Sequence, residues 1–425
     1  MAATGPSRRQ TPTASIPCIS LEHARARWHL RQGLSEAQGP RAPIEAAEAV
    51  VARTSWPRTL GGIDVYLALR ARAPGLGRAA IDDAVAAQRL QVVPAVRGCI
   101  YLVPRAEVGL VLRIAEEQWR PRTERELVKA GSSLAEAEAL AIALTEALRR
   151  GPLGTDALRR ALPPGTVRSL GEAGKKIGMS SALPVALRLL EFAGTVERTL
   201  PGGRLDSERY EWRLTTTSPF AGAAVPADSA GRLTRLARLF FRGAAPATVK
   251  EFAEWAALSQ REARAAIESA GLVPVAVTGH ADEAFCFDED LAAPEPSRAV
   301  RLLSSQDGYL TDHGGPAPLC DPAQHGRAMP VWGSTRGSTL GGAKYVSLRP
   351  VLIGDRLTGF WEYDPDRRQI AVGLFEQQAA LPQVLAAAES LGAFLRDELE
   401  HGRSFSLDTD DDLRQRTALV QQLQA

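Results

Sequence analysis

The chain has 425 residues, 45% of them hydrophobic and 24% charged, with a formal net charge of +2. That is the composition of a globular protein with room for two to four domains, and no stretch approaches the roughly 20 apolar residues of a membrane span. Four scattered cysteines (Cys18, Cys99, Cys286, Cys320) form no CxxC pair, so reduced thiols in a cytoplasmic protein are expected, a zinc site is not, and no motif calls for a cofactor. MAATGPSRRQTPTAS has no apolar run, and residues 1–18 read as a disordered tail rather than a secretory signal.

The near-zero total hides an uneven distribution. Residues 1–250 carry 36 Lys/Arg against 23 Asp/Glu, a net of +13, while residues 251–425 carry 15 against 26, a net of −11. Such asymmetry is expected where one part of a protein meets a polyanion. Arginine supplies nearly all the positive charge, and its planar fork suits phosphate. The same residues on helix faces are also commonly just solvated, so both readings stay open.

In chain order, the first unit covers residues 19–125. Its helices run from Leu21 to Gln32, from Ile44 to Thr54 after a turn through Gly39-Pro40, and, beyond Trp56-Pro57 and Gly61-Gly62, through IDVYLALRARA. A fourth runs from Arg78 to Gln88, and LQVVPAVRGCIYLVP then forms two short strands around Arg97-Gly98. The second unit, residues 126–228, has helices in AEALAIALTEALRRG, in TDALRRAL behind the cap Thr155, and from near Ser181 with Pro184 in its first turn. A glycine-rich connector from Gly165 to Gly178 lies between them, and TVERTL and YEWRL form a hairpin around PGGR.

The third unit, residues 229–296, is the clearest copy. ARLFF ends at Gly243, Thr248 with Glu251 and Ser259 with Glu262 make two capping boxes that open VKEFAEWAA and QREARAAIESA, and LVPVAV follows as a strand. Two capped helices across a tight turn are a helix-turn-helix signature, and the trailing strands suggest a wing. The expected fold is therefore α+β: three tandem winged helix-turn-helix units followed by a β-rich C-terminal domain over residues 297–425. In that domain IGDRLTGFWEY turns at Gly354-Asp355 as a hairpin, AALPQVLAAAESLGAFLRDELEH is an amphipathic helix, and the acidic tail after Leu407 ends in a short helix. Tandem winged helices point to double-stranded DNA as the partner. With no evident dimerisation helix, a monomer is expected, and a membrane role is not.

VYLALRARAPGL, AVRGCIYLVPRAEV, APATVKEFAEWAALSQREARAAI and PVLIGDRLTGFWEY resemble, in order and spacing, the AlkZ/YcaQ family of winged-helix DNA glycosylases, from about Ser20 to Leu399. The resemblance implies three winged-helix units, a mostly β C-terminal domain, and excision of alkylated or crosslinked bases. It also implies a glutamine-x-glutamine or glutamine-x-aspartate pair just before the helix that begins at Ile63, positioning the attacking water. Here that segment is SWPRTLGGIDVY, and counting back from Tyr66 puts Arg58 and Leu60 at the two positions, with no Gln or Glu between Val50 and Gln88. Leucine cannot orient water, and arginine accepts no proton at neutral pH and opposes a developing sugar cation. The family's proline-and-aspartate phrase is altered too, to LLSSQDGYLTDH.

Candidate site residues follow, each with a plainer alternative. Trp56 stacks on a base or packs where its helix ends. Arg53 and Arg58 hold phosphates or are salt-bridged. Arg25, Arg27 and Arg31 line a DNA-facing helix or are solvated, and Arg97, Lys175 and Lys176 sit in loops that reach a sugar-phosphate backbone. Asp64 is the weak catalytic candidate, with a helix N-terminal role favoured. Gln306, Asp307, Asp312 and His313 form a polar cluster without metal-ligand or acid/base spacing, read as a polar loop. Two functions stay in view: a DNA binder that has lost the usual pair, releases no base and loosens with salt, or an active glycosylase rebuilt around Asp64 and LSSQD. A transcriptional regulator is a third, disfavoured by the missing dimerisation helix.

Overall fold

The computed structural model describes residues 15–35, 41–207, 209–222, 224–332, 334–376 and 379–423. Most of the expected N-terminal tail and the Gly39-Pro40 turn lie outside them. The first described elements are a short strand, β1 (Cys18–Ile19), and α1 (Leu21–Arg31), whose N-cap Ser20 accepts from the His23 N–H at 3.0 Å. Both sit with the third unit and not the first. β1 pairs in parallel with residues 273–277, and Trp28 Nε1 donates to the Pro246 carbonyl at 2.7 Å. The sequence carries no local signal for pairing across that separation, so the expected start of the first unit, and a tail reaching residue 18, are both corrected.

The first unit proper comprises α2 (Pro43–Arg53), α3 (Asp64–Arg72), α4 (Arg78–Ala86) and the antiparallel hairpin β2 (Leu90–Pro94) and β3 (Ile100–Pro104). Gly62 lets α3 start against the C-terminal domain: a Cβ there would lie 2.2 Å from the Ser404 backbone, and Ile63 N–H donates to the Arg403 carbonyl at 2.9 Å. A 25-residue helix that the sequence did not announce, α5 (Arg105–Lys129), then leads out. Val108, Leu110, Val111, Leu112 and Ile114 in its first half are all buried, because other elements pack around several of its faces, so no amphipathic stripe marks it.

The second unit has α6 (Leu134–Leu148), β4 (Leu153–Gly154), α7 (Thr155–Ala161), α8 (Gly171–Lys176) within the expected connector, α9 (Leu183–Phe192), β5 (Val196–Thr199) and β6 (Glu211–Leu214), with sheet order β4-β6-β5. The third has α10 (Ser229–Ala244), β7 (Ala247–Thr248), α11 (Val249–Ala256), α12 (Gln260–Ser269), β8 (Val273–Val277) and β9 (Ala284–Cys286). Both capping boxes form as read, with Glu251 N–H donating to Thr248 Oγ1 at 3.1 Å and Glu262 N–H to Ser259 Oγ at 3.2 Å.

In the C-terminal region β10 (Val300–Leu302), α13 (Gly308–Thr311), β11 (Ala328–Val331), β12 (Ser334–Thr339), β13 (Arg349–Ile353), β14 (Arg356–Asp364) and β15 (Gln369–Leu374) are followed by α14 (Leu381–Phe394) and α15 (Asp410–Gln422). The antiparallel sheet β10-β13-β14-β15 contains the expected hairpin. The fold is mixed α+β, as expected. One apolar core runs through the first unit, the third unit and this region, while the second unit keeps a core of its own around Leu144, Leu158, Leu183 and Trp212.

Candidate functional site

The segment after α2 builds the site. Trp56 has φ 65°, a left-handed conformation that costs a bulky residue on the order of 1–3 kcal/mol. It is held there by Nε1 donating to Glu107 Oε2 at 2.7 Å and by ring contacts to Tyr101 and Trp255, with centroids 6.4 and 5.5 Å apart. Thr59 N–H donates to the Ile100 carbonyl at 3.1 Å and Leu102 N–H to the Pro57 carbonyl at 2.9 Å, so the segment runs beside β3 as a short extra strand. It faces residues 304–312 of the C-terminal region, and α11 closes a third side. The narrow cleft between them adjoins a second hollow that shares Arg58, Arg97, Trp255 and Asp312 and reaches Glu251 and Lys344.

Arg58 Nη1 donates to Gln306 Oε1 at 2.9 Å and its Nη2 to Cys99 Sγ at 3.4 Å. Arg97, at φ 61°, is turned into the cleft, with Nη2 donating to Tyr101 Oη at 2.9 Å. On the opposite wall Asp312 Oδ2 accepts from Ser55 Oγ. Gly308 keeps the space beside this pair open: a Cβ would lie 2.9 Å from Ser55 Oγ and 3.1 Å from Asp312 Oδ2. Burial pushes the Asp312 carboxyl up to about 7, against the Ser55 hydrogen bond and the charge of Arg97.

Glu251 is pushed to about 7 by burial as well, but its Oε2 is occupied by the Thr248 N–H at 2.6 Å and the Thr248 hydroxyl at 3.0 Å. Its Oε1 lies 3.8 Å from Nδ1 of His313, which stacks on Trp28 with centroids 3.9 Å apart and is kept neutral by burial, its pKa lowered to about 3. Asp307 pairs with Arg72 in a two-pronged contact at 2.7 and 2.8 Å, tying α3 to the C-terminal region.

The sequence candidates divide accordingly. Trp56, Arg58 and Arg97 meet at the cleft. Asp64 reaches its floor, yet its carboxylate is committed: Oδ2 accepts from Ser305 Oγ at 3.1 Å, Oδ1 from Ser404 Oγ at 2.9 Å, and Arg349 Nη2 lies 3.7 Å away. Burial raises its pKa against Arg349 and the two hydroxyls. Asp64 is the first residue of α3, and its side chain fastens that helix to the C-terminal region. Arg25 pairs with Asp355 at 3.7 Å, Arg27 with Asp290 at 3.5 Å, and Arg31 with Asp290 at 2.7 Å and Glu289 at 3.2 Å. These contacts give the three arginines an intramolecular task. Arg53 is half-buried, and burial with the charges of Arg41 and Arg31 lowers its pKa. Lys175 is exposed and bonded to Glu172 at 2.6 Å; Lys176 beside it, with Arg150 and Arg160 on the same unit, is exposed and has no carboxylate partner among the described residues.

Ser55, Tyr101 and Trp255 were not singled out from the sequence, and Asp312 was set aside as part of a loop. Their signal is tertiary, since residues 55, 101, 255 and 312 become neighbours only when three units meet. Among the described residues no group of three metal-capable side chains occurs, and no helix is long and apolar enough to cross a membrane.

The first unit, the third unit and the C-terminal region thus meet at a cleft lined by Arg58, Arg72 and Arg97, by Asp64, Asp307 and Asp312, and by aromatic rings. The family model described as DNA glycosylase AlkZ-like matches residues 62–399, and the chain belongs to that family. Among solved structures, it is similar in fold to the Streptomyces sahachiroi DNA glycosylase AlkZ, with a TM-score of 0.66 at 20% identity, over 89% of this chain and 97% of that one. A search of curated proteins gave no match.

Proposed function

We propose that this protein binds double-stranded DNA and admits an altered nucleotide, such as one carrying an alkylated base, into the cleft between the first unit, α11 and residues 304–312. The observation that carries the reading is the cleft itself: it lies where the family's water-positioning pair is expected, and Arg58, Arg97, Tyr101 and Trp255 line it. The arginines suit phosphate or a base oxygen, and the aromatic rings offer a wall for a base. The exposed Arg150, Arg160, Lys175 and Lys176 of the second unit supply sequence-independent phosphate contacts. Because Arg58 and Leu60 replace the usual pair, base release by that pair is not open to this chain.

The test is equilibrium binding of the full chain to one duplex oligonucleotide, intact or treated with a methylating agent, from 50 to 200 mM salt. Tighter binding to the methylated duplex, with affinity falling roughly 10-fold or more over this range, is expected. Equal binding to both, or no binding, contradicts the proposal.

A further inference from the structure

We propose that Asp312 is the carboxylate that activates water for base release in this protein, acting from the wall opposite the position of the missing pair. This rests on the reading that an altered nucleotide enters the cleft. Asp312 and Arg58 line the same cleft, and Ser55, three residues before Arg58, donates to Asp312 Oδ2. The substituted segment is therefore bonded to a carboxylate brought by another part of the chain. Asp312 Oδ1 has no hydrogen-bond donor among the described residues, and Gly308 leaves the space beside the pair open. Glu251 lines the adjoining hollow and not this cleft, and its Oε2 is held by the Thr248 N–H and hydroxyl.

The chemistry selects the substrate class. A purine alkylated on a ring nitrogen is cationic, so when its C1′–N bond breaks the electron pair leaves with a base that departs neutral, and no acid is required. Water adds its oxygen to C1′, its proton goes to the Asp312 carboxylate, and an abasic sugar remains. The proton then passes to solvent. Among the described carboxylates of the cleft, Asp64 and Asp307 are committed to other partners, and a site with Asp312 as its one available carboxylate fits a leaving group that needs no protonation.

The charged and titratable groups lining the cleft and hollow around Asp312 are Arg58, Arg97 and Tyr101 of the first unit, Asp64 and Arg72 of α3, Asp307 of its own loop, Glu251 and Glu254 of α11, and Lys344 and Tyr345 of the C-terminal region. Arg97 and Arg72 favour its ionised form, while Asp307 opposes it. Burial outweighs both and holds the group near 7, so base release rises with pH up to about that value and levels off above it.

The experiment incubates the full chain with a duplex methylated on purine ring nitrogens and scores DNA retention and abasic sites from pH 5.5 to 8.5. The parent protein should form abasic sites. Asp312→Asn, which preserves shape and the Ser55 hydrogen bond, should retain the DNA and unfold cooperatively but release base roughly 100-fold more slowly or less. Ser55→Ala should keep releasing base with its pH midpoint moved upward, because a bond favouring the ionised form is lost. Retention by the parent without abasic sites, or undiminished release by Asp312→Asn, overturns the assignment and leaves the binding reading standing. Loss of both retention and release removes the two together.

Discussion

Asp312 carries a consequence for stability as well as for chemistry. Its folded-state pKa of about 7 lies above the roughly 3.9 of an unfolded aspartate, so the folded protein holds a proton that the unfolded chain releases in between. Its contribution is full below about pH 4 and is lost as pH rises through about 7. Glu251 acts in the same sense, while His29 and His313, lowered to about 3 by burial, act in the opposite sense up to about pH 6.5. The opposing slopes hide each other in the parent, so the informative quantity is the difference from Asp312→Asn. Relative to that variant the parent should lose roughly 1 kcal/mol or more between pH 5 and pH 8, measured by chemical denaturation. A constant difference across the range would show that Asp312 is not buried as described. Single residues were partly legible in the sequence: SWPRT stands out as a segment without the pair that the family resemblance implies, but the backbone strain at Trp56 and the bond from Ser55 to Asp312 depend on partners that only folding supplies.

Elements follow the same division. The capping boxes at Thr248 and Ser259 were legible because their hydrogen bonds close within three residues. The long α5 was not, because burial on several faces erases the periodicity that marks a surface helix. α1 was misplaced for a third reason: its arginines look like a DNA-facing stripe, but the acidic partners that engage them, Asp290, Glu289 and Asp355, lie far along the chain. That gives a contrast between two helices. Arg31→Ala on α1 leaves the buried Asp290 carboxylate short of a partner and should cost about 1–3 kcal/mol without altering the salt dependence of DNA binding. Lys176→Ala on α8 should leave stability within about 0.5 kcal/mol and lower the slope of log affinity against log salt by about 1. If Arg31→Ala flattens the slope and Lys176→Ala does not, the basic surface has been placed on the wrong unit.

At the scale of the whole molecule, the charge asymmetry was legible as composition, yet it did not foretell how the parts of the chain divide their work. The first unit, the third unit and the C-terminal region share one core and enclose the cleft, while the second unit has its own core and carries exposed cations. The clearest copy of the repeat contributes to the site through α11, with Trp255 in the cleft wall and Glu251 in the adjoining hollow, whereas its second capped helix, α12, lines neither. The central claim is that the cleft admits the altered nucleotide. It is tested most directly by the ratio of affinities for methylated and intact duplex, compared between the parent and Gly308→Val, whose side chain would crowd Ser55 and Asp312. Intact-duplex affinity should be unchanged, which also verifies the fold, and the preference for methylated DNA should fall to about 1. An undiminished preference in Gly308→Val would contradict it.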